Sequence, residues 1–207
     1  MVNHKRIHRI YRVEGLQLRA RRKRGVRYIR GNVVPTVSRP NERWSLDFVH
    51  DALSNGRKFR SLTIVDDFTR ESIGIEVDFS LTGDRVVRVL SRLAATRGLP
   101  PTLKFDNGTE FTSNAMLGWA AQANVDLHFI EPGRPMQNGS VESFNGRFRD
   151  ELLNEHAFPT IFHARSAIEA WRIDYNVLRP HTALDGLTPA EFIEHYRTNS
   201  NSRSAAA

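Results

Sequence analysis

The sequence predicts an α/β domain: a mixed five-stranded sheet flanked by helices and preceded by a basic amino-terminal arm. Three observations predict it. Three strand-like runs joined by short polar connections open the folded part and read as an antiparallel meander. Strand and helix patterns then alternate, as they do where helices cover a sheet. The charge is uneven: of a formal +7 over 207 residues, residues 1–30 carry +10, with eleven Lys or Arg against Glu14 alone, and the remainder sums to −3.

Composition bounds the function. Hydrophobic residues make up 40% and charged residues 26%, as in a soluble globular chain, and no apolar run approaches the roughly 18 residues of a membrane span. The absence of Cys removes disulfides, thiolate zinc sites and cysteine nucleophiles, and agrees with a reducing compartment. Any metal therefore needs oxygen or His ligands. The amino terminus is too charged for the apolar core of a secretory signal.

At the amino terminus "RIHRIYRVEGLQL" sets Ile7, Ile10 and Tyr11 at helical spacing, with Gly15 as a stop. "RARRKRGVRYIR" follows. Its Arg19, Arg21, Arg22, Lys23, Arg24 and Arg27 are dense enough to neutralise several phosphates, with Tyr28 and Ile29 interleaved. Residues 1–30 are thus read as a DNA-binding helix and arm, and the Gly, Pro and Ser of residues 31–41 as a linker.

The folded core is expected over residues 42–155, a helical extension over 156–196 and a disordered tail over 197–207. Strands are read at "WSLDFVH" (44–50), "RSLTIVDD" (60–67) and "SIGIEVDF" (72–79), with Asn55-Gly56 turning the chain between the first two. Val86, Val87, Leu90, Leu93 and Ala94 form a helical stripe closed by Gly98 and Pro100. A strand (101–106), a helix (113–124) and a strand (125–131) come next. After the irregular "PGRPMQNG" (132–139), Val141, Phe144, Phe148 and Leu152 predict a long helix over 140–153. A further helix spans 160–177, and Thr188-Pro189-Ala190-Glu191 is a capping box that starts the last one.

Three acids stand out. Asp47 interrupts an apolar strand, where a carboxylate is costly to bury without a partner, whether cation, Arg or an exposed sheet face. Asp106 ends a strand just before Asn107-Gly108, as either a turn-initiating Asp or a strand-end ligand. Glu142 lies beside the apolar stripe of the long helix. The 35 residues between Asp106 and Glu142 leave room for one helix, one strand and one loop, so the topology lets all three acids meet. Hard cations would relieve their repulsion.

"WSLDF", "FDNGTEF" and "GSVESFNGRFRDELLNEH", at this 35-residue spacing, resemble the catalytic core of retroviral-type integrases and bacterial insertion-sequence transposases. The resemblance is closest to transposases written in two overlapping reading frames, whose second frame supplies the core. "IVDDFTR", "PGRPMQNG" and "YNVLRPHTALDGLTPAEF" fit the same group. It implies a ribonuclease H-like fold in which Asp47, Asp106 and Glu142 bind two divalent ions, Mg²⁺ or Mn²⁺. The activity implied is nicking at element ends followed by attack of the freed 3′ hydroxyl on target DNA. Implied partners are DNA, further copies of the chain in a synaptic complex and the upstream-frame product, with no membrane and a bacterial cytoplasmic location. Two other readings stay open: a non-catalytic DNA-binding repressor, and a nuclease of the same fold without joining activity.

Around the acids, Asn138, Asn145 and Arg149 fall four, three and seven residues from Glu142, on its face, and are read as DNA contacts. Gly133 and Gly139 bracket a loop expected to settle on DNA binding. Asp66 and Asp67 are read as turn caps with Thr69. His128 is expected on a sheet face or at the surface, and Arg179, Pro180 and His181 are left between packing and DNA contact. Trp44, Trp119 and Trp171 are expected in or near the core.

Overall fold

The structure, a computed structural model of the chain, describes residues 13, 14, 28, 29, 36–131 and 135–205. All but residues 13 and 14 of the predicted amino-terminal helix, the basic residues Arg19, Arg21, Arg22, Lys23, Arg24 and Arg27, residues 31–35 of the linker and Gly133 lie outside the described residues.

Among the described residues the strands are β1 (Tyr28–Ile29), β2 (Arg43–Ala52), β3 (Lys58–Asp66), β4 (Ser72–Asp78), β5 (Thr102–Phe105) and β6 (Asp126–Phe129). They form one mixed sheet in the order β1-β6-β5-β2-β3-β4. β2, β3 and β4 are the expected antiparallel meander, while β5 runs parallel to β2, and β6 to β5. The five expected strands are joined by a sixth. Tyr28 and Ile29, read as part of the arm, pair in parallel with Leu127 and His128. The open edge of β6 offers unpaired N–H and C=O groups, which two residues of extended chain satisfy.

Five helices complete the described fold: α1 (Gly83–Arg97), α2 (Asn114–Ala123), α3 (Gly139–Phe148), α4 (Ile161–Val177) and α5 (Pro189–Ala205). Their ends follow local chemistry. Ser113 Oγ accepts the Met116 N–H to start α2, and Thr160 Oγ1 accepts the His163 N–H to start α4. The capping box is reciprocal: Glu191 Oε2 accepts Thr188 N–H at 2.8 Å and Thr188 Oγ1 accepts Glu191 N–H at 3.2 Å. Two expectations change here. The helix carrying Glu142 stays α-helical only to Phe148 and continues as a π-helical turn over Arg149–Leu153. Residues 197–205, expected as a disordered tail, continue α5, because adding residues to an existing helix costs far less than nucleating one.

The pleat separates two apolar clusters. Trp44 and Leu46 of β2 join Leu103, Phe105, Phe111 and the stripes of α1 and α2. Val49 of the same strand joins Val141, Phe144, Phe148 and α4 residues including Ile168 and Trp171 on the opposite face. Trp44 and Trp171 are buried and Trp119 is half-buried against the first cluster, as residue type predicts. Asp47, odd-numbered like Val49, faces α3.

Candidate functional site

Asp47 lies in mid β2, opposite Thr63 of β3. β2 and β5 are in parallel register through Ser45 and Lys104. Two further steps along that register set Asp106 beside Asp47, at the point where β5 ends. α3 covers this face with Val141, Phe144, Asn145 and Phe148, and its first turn carries Glu142. Strand, strand end and helix therefore bring the three acids to one region.

Their charges meet at Asp47. Burial holds its carboxyl above the usual carboxylate range, and the neighbouring Asp106 and Glu142 charges push it the same way. Two donors oppose that rise: the Phe48 N–H on Oδ1 and the Asn145 amide on Oδ2, both at 2.7 Å. Asp106 accepts the Gly108 N–H at 3.0 Å, so it also serves as the turn-initiating residue that the Asn-Gly step suggested. A Cβ at residue 108 would meet Asp106 Oδ1 at 3.0 Å, which explains glycine at that position.

The donor set suits a hard divalent cation. Every donor is a carboxylate oxygen, and the nearby cation Lys104 is already committed to Asp67. Among the described residues, no group of three His, Asp or Glu side chains is gathered closely enough to hold an ion as it stands. With about four lone-pair sites per carboxylate, the bonds to Phe48, Asn145 and Gly108 leave acceptor capacity on both aspartates.

Two expected DNA contacts are placed differently. Asn145 is only 7% exposed and spends its NH₂ on Asp47, so it orients the acid instead of facing solvent. Asn138, at the amino end of α3, is 2% exposed. Both sit where α3 sinks against the sheet. Arg149 is exposed on the Glu142 flank, its guanidinium reaching the His50 carbonyl at 3.4 Å.

Sequence reasoning missed a buried ion cluster beside the acids. Asp66 caps its turn through the Phe68 and Thr69 N–H groups, as expected. Asp67 does not. Its carboxylate takes Arg43 Nε at 2.5 Å, Lys104 Nζ at 2.9 Å and Ser45 Oγ at 2.5 Å, and all four residues are buried. Despite burial, those partners hold Asp67 below the usual range. A signal existed: Lys104 lies between Leu103 and Phe105, on the Asp106 side of the strand. His128, on the sheet face, is buried beside this cluster, where burial and the Arg43 and Lys104 charges lower its pKa from the usual imidazole value.

The "LRPHTALDG" segment packs against α3. His181 Nδ1 accepts from Arg147 Nη1 at 2.9 Å, and its ring meets Tyr175 edge-on at 4.8 Å. Burial and the Arg147, Arg179 and Arg70 charges lower its pKa to about 4. The unfolded chain takes up that proton near pH 6.5, so the contribution to stability is full above this value. It is lost as pH falls towards 4, by up to about 3 kcal/mol. Urea unfolding at pH 7 and pH 5 should show a smaller pH difference in His181→Asn than in the wild type.

Comparison with known proteins bears on the family and the fold. Residues 37–135 and residues 123–189 each match an integrase core domain family. The chain is 51% identical over 203 residues to the insertion element IS407 uncharacterized 31.7 kDa protein of Burkholderia multivorans, covering 98% of this chain and 73% of that protein. It is 48% identical over 197 residues to the insertion element IS476 uncharacterized 39.2 kDa protein of Xanthomonas euvesicatoria, covering 95% of this chain and 57% of that protein. In fold it is similar to the HTLV-2 integrase catalytic core domain solved in complex with magnesium, with a TM-score of 0.59 and 19% identity over 74% of this chain and 96% of that one.

Proposed function

Since the chain belongs to the insertion-element transposases built on an integrase core, we propose that it nicks DNA at element ends and joins those ends to target DNA. The observation that carries the reading is that Asp106 and Glu142 lie near enough to the half-buried Asp47 for their charges to act on its carboxyl. In this reading the three acids would hold two Mg²⁺ or Mn²⁺ ions. Such ions supply Lewis-acid charge stabilisation and a more acidic water.

The remaining chemistry asks for positioning. In nicking, a water oxygen bonds to phosphorus and the 3′ oxygen leaves; in joining, the freed 3′ hydroxyl bonds to a target phosphorus and the target's 3′ oxygen leaves. Both are in-line displacements that need no protein nucleophile. Asn145 would keep the Asp47 carboxylate oriented, and Arg149 would take a DNA phosphate on the same flank. The basic run from Arg19 to Arg27 would add sequence-independent, salt-sensitive affinity. Joining two ends calls for more than one copy of the chain, and an upstream-frame product is a further partner.

The test incubates the full chain with Mg²⁺ or Mn²⁺, labelled duplex from the element's ends and a target plasmid. Nicked and joined strands are expected, both reduced roughly 10³-fold or more in Asp106→Asn. Nicks without joined product would make the protein a nuclease. Equal activity in wild type and Asp106→Asn would remove Asp106 from the site.

A further inference from the structure

α3 is held on two sides. At about 100° per residue, Glu142, Asn145 and Arg149 lie on one flank of its apolar stripe, while Ser140 and Arg147 lie on the other. Every polar group named on that second flank is bonded. Arg70, in the turn after β3, donates to Ser140 Oγ. Arg147 donates to His181 Nδ1 at 2.9 Å. In the adjoining π-helical turn, Glu151 accepts the Trp171 indole N–H at 3.1 Å and pairs with Arg179.

Apolar packing is non-directional and leaves a helix some freedom to roll about its axis. Directional hydrogen bonds remove it. With a helix radius of about 5–6 Å including side chains, a roll of about 10° moves a carboxylate by about 1 Å. A misplacement of about 1 Å can cost about 100-fold in rate.

We infer that His181 is a positioning residue for Glu142: by accepting from Arg147 it sets the roll of α3 and so the place of the acid on the opposite flank. A guanidinium can only donate, so the imidazole is neutral at Nδ1 and carries its proton on Nε2. His181 is 3% exposed, which rules out direct contact with DNA and leaves action through Arg147. The inference rests on the proposed role of the three acids.

The full chain is assayed with Mn²⁺ and labelled end duplex, well below the melting temperature of every variant. His181→Ala is expected to slow nicking at saturating DNA about 10- to 100-fold, with DNA affinity changed by less than about twofold. His181→Asn, whose Oδ1 replaces Nδ1 as acceptor, is expected to return to within about threefold of wild type. Leu90→Ala, a cavity in the other apolar cluster, measures what lost stability alone does. An Asn variant as slow as Ala, or an Ala defect no larger than that of Leu90→Ala, overturns the inference while Glu142→Gln still abolishes nicking. Nicking indifferent to Glu142→Gln overturns the reading beneath it.

Discussion

Replacing Asp47 by Asn is expected to raise the melting temperature of the metal-free protein while nearly abolishing nicking. Burial, with the Asp106 and Glu142 charges, disfavours the ionised carboxyl in the folded state. That cost is present at neutral pH and is relieved as pH falls through the raised pKa, so a neutral isostere removes it at every pH. The substitution is compatible with the local hydrogen bonds. The new amide oxygen still accepts the Phe48 N–H, and Asn145 can turn its own amide, whose buried Oδ1 has no hydrogen-bond partner, to accept from the new NH₂. A gain of roughly 2–4 °C corresponds to about 1 kcal/mol in a chain of this size. Nicking should fall roughly 10³-fold or more if Asp47 helps to hold the ions as proposed. Calorimetry in chelator, run beside the nicking assay, checks both halves. A lower melting temperature would mark Asp47 as a structural residue.

Asp67→Asn should have the opposite profile, with a large loss of stability. Asp67 compensates two buried cations, and neutralising it leaves Arg43 and Lys104 facing each other without their shared anion. Removing one partner of a buried ion pair typically costs about 3–5 kcal/mol. A fall in melting temperature on the order of 10 °C follows. Lys104→Met should cost clearly less, because it leaves the Arg43–Asp67 pair in place and removes a cation that burial already disfavours. Denaturant unfolding of both variants at pH 7 tests the order. Equal costs would mean that Arg43 alone cannot satisfy the carboxylate. The wild type should approach the Asp67→Asn behaviour in acid, because the lowered pKa of Asp67 contributes stability that is lost as pH falls through it.

Much of this architecture was legible because it rests on local periodicity. Alternation along β2 to β4, the stripes of α1 and α3 and the Thr188-Glu191 box each report short-range preferences that the tertiary structure reinforces. The acids stood out as candidates for the same kind of reason: Asp47 breaks an apolar strand, and Asp106 precedes Asn-Gly. Asn145 was misread, because helical spacing places it on the Glu142 face but does not say how deeply that face sinks. Asp67 was misread because the partners that explain it, Arg43 and Lys104, come from other strands.

The sequence by itself determined the order of the five main strands and the helices among them, the candidacy of the three acids and the segment in which the positive charge is concentrated. The tertiary structure alone decided which polar groups lose water. Only the folded sheet shows Lys104 and Arg43 turned onto Asp67, Asn145 onto Asp47 and His181 onto Arg147. The reason is one of range. Helix and strand preferences act over a few residues, whereas desolvation and buried charge depend on neighbours brought in from distant parts of the chain.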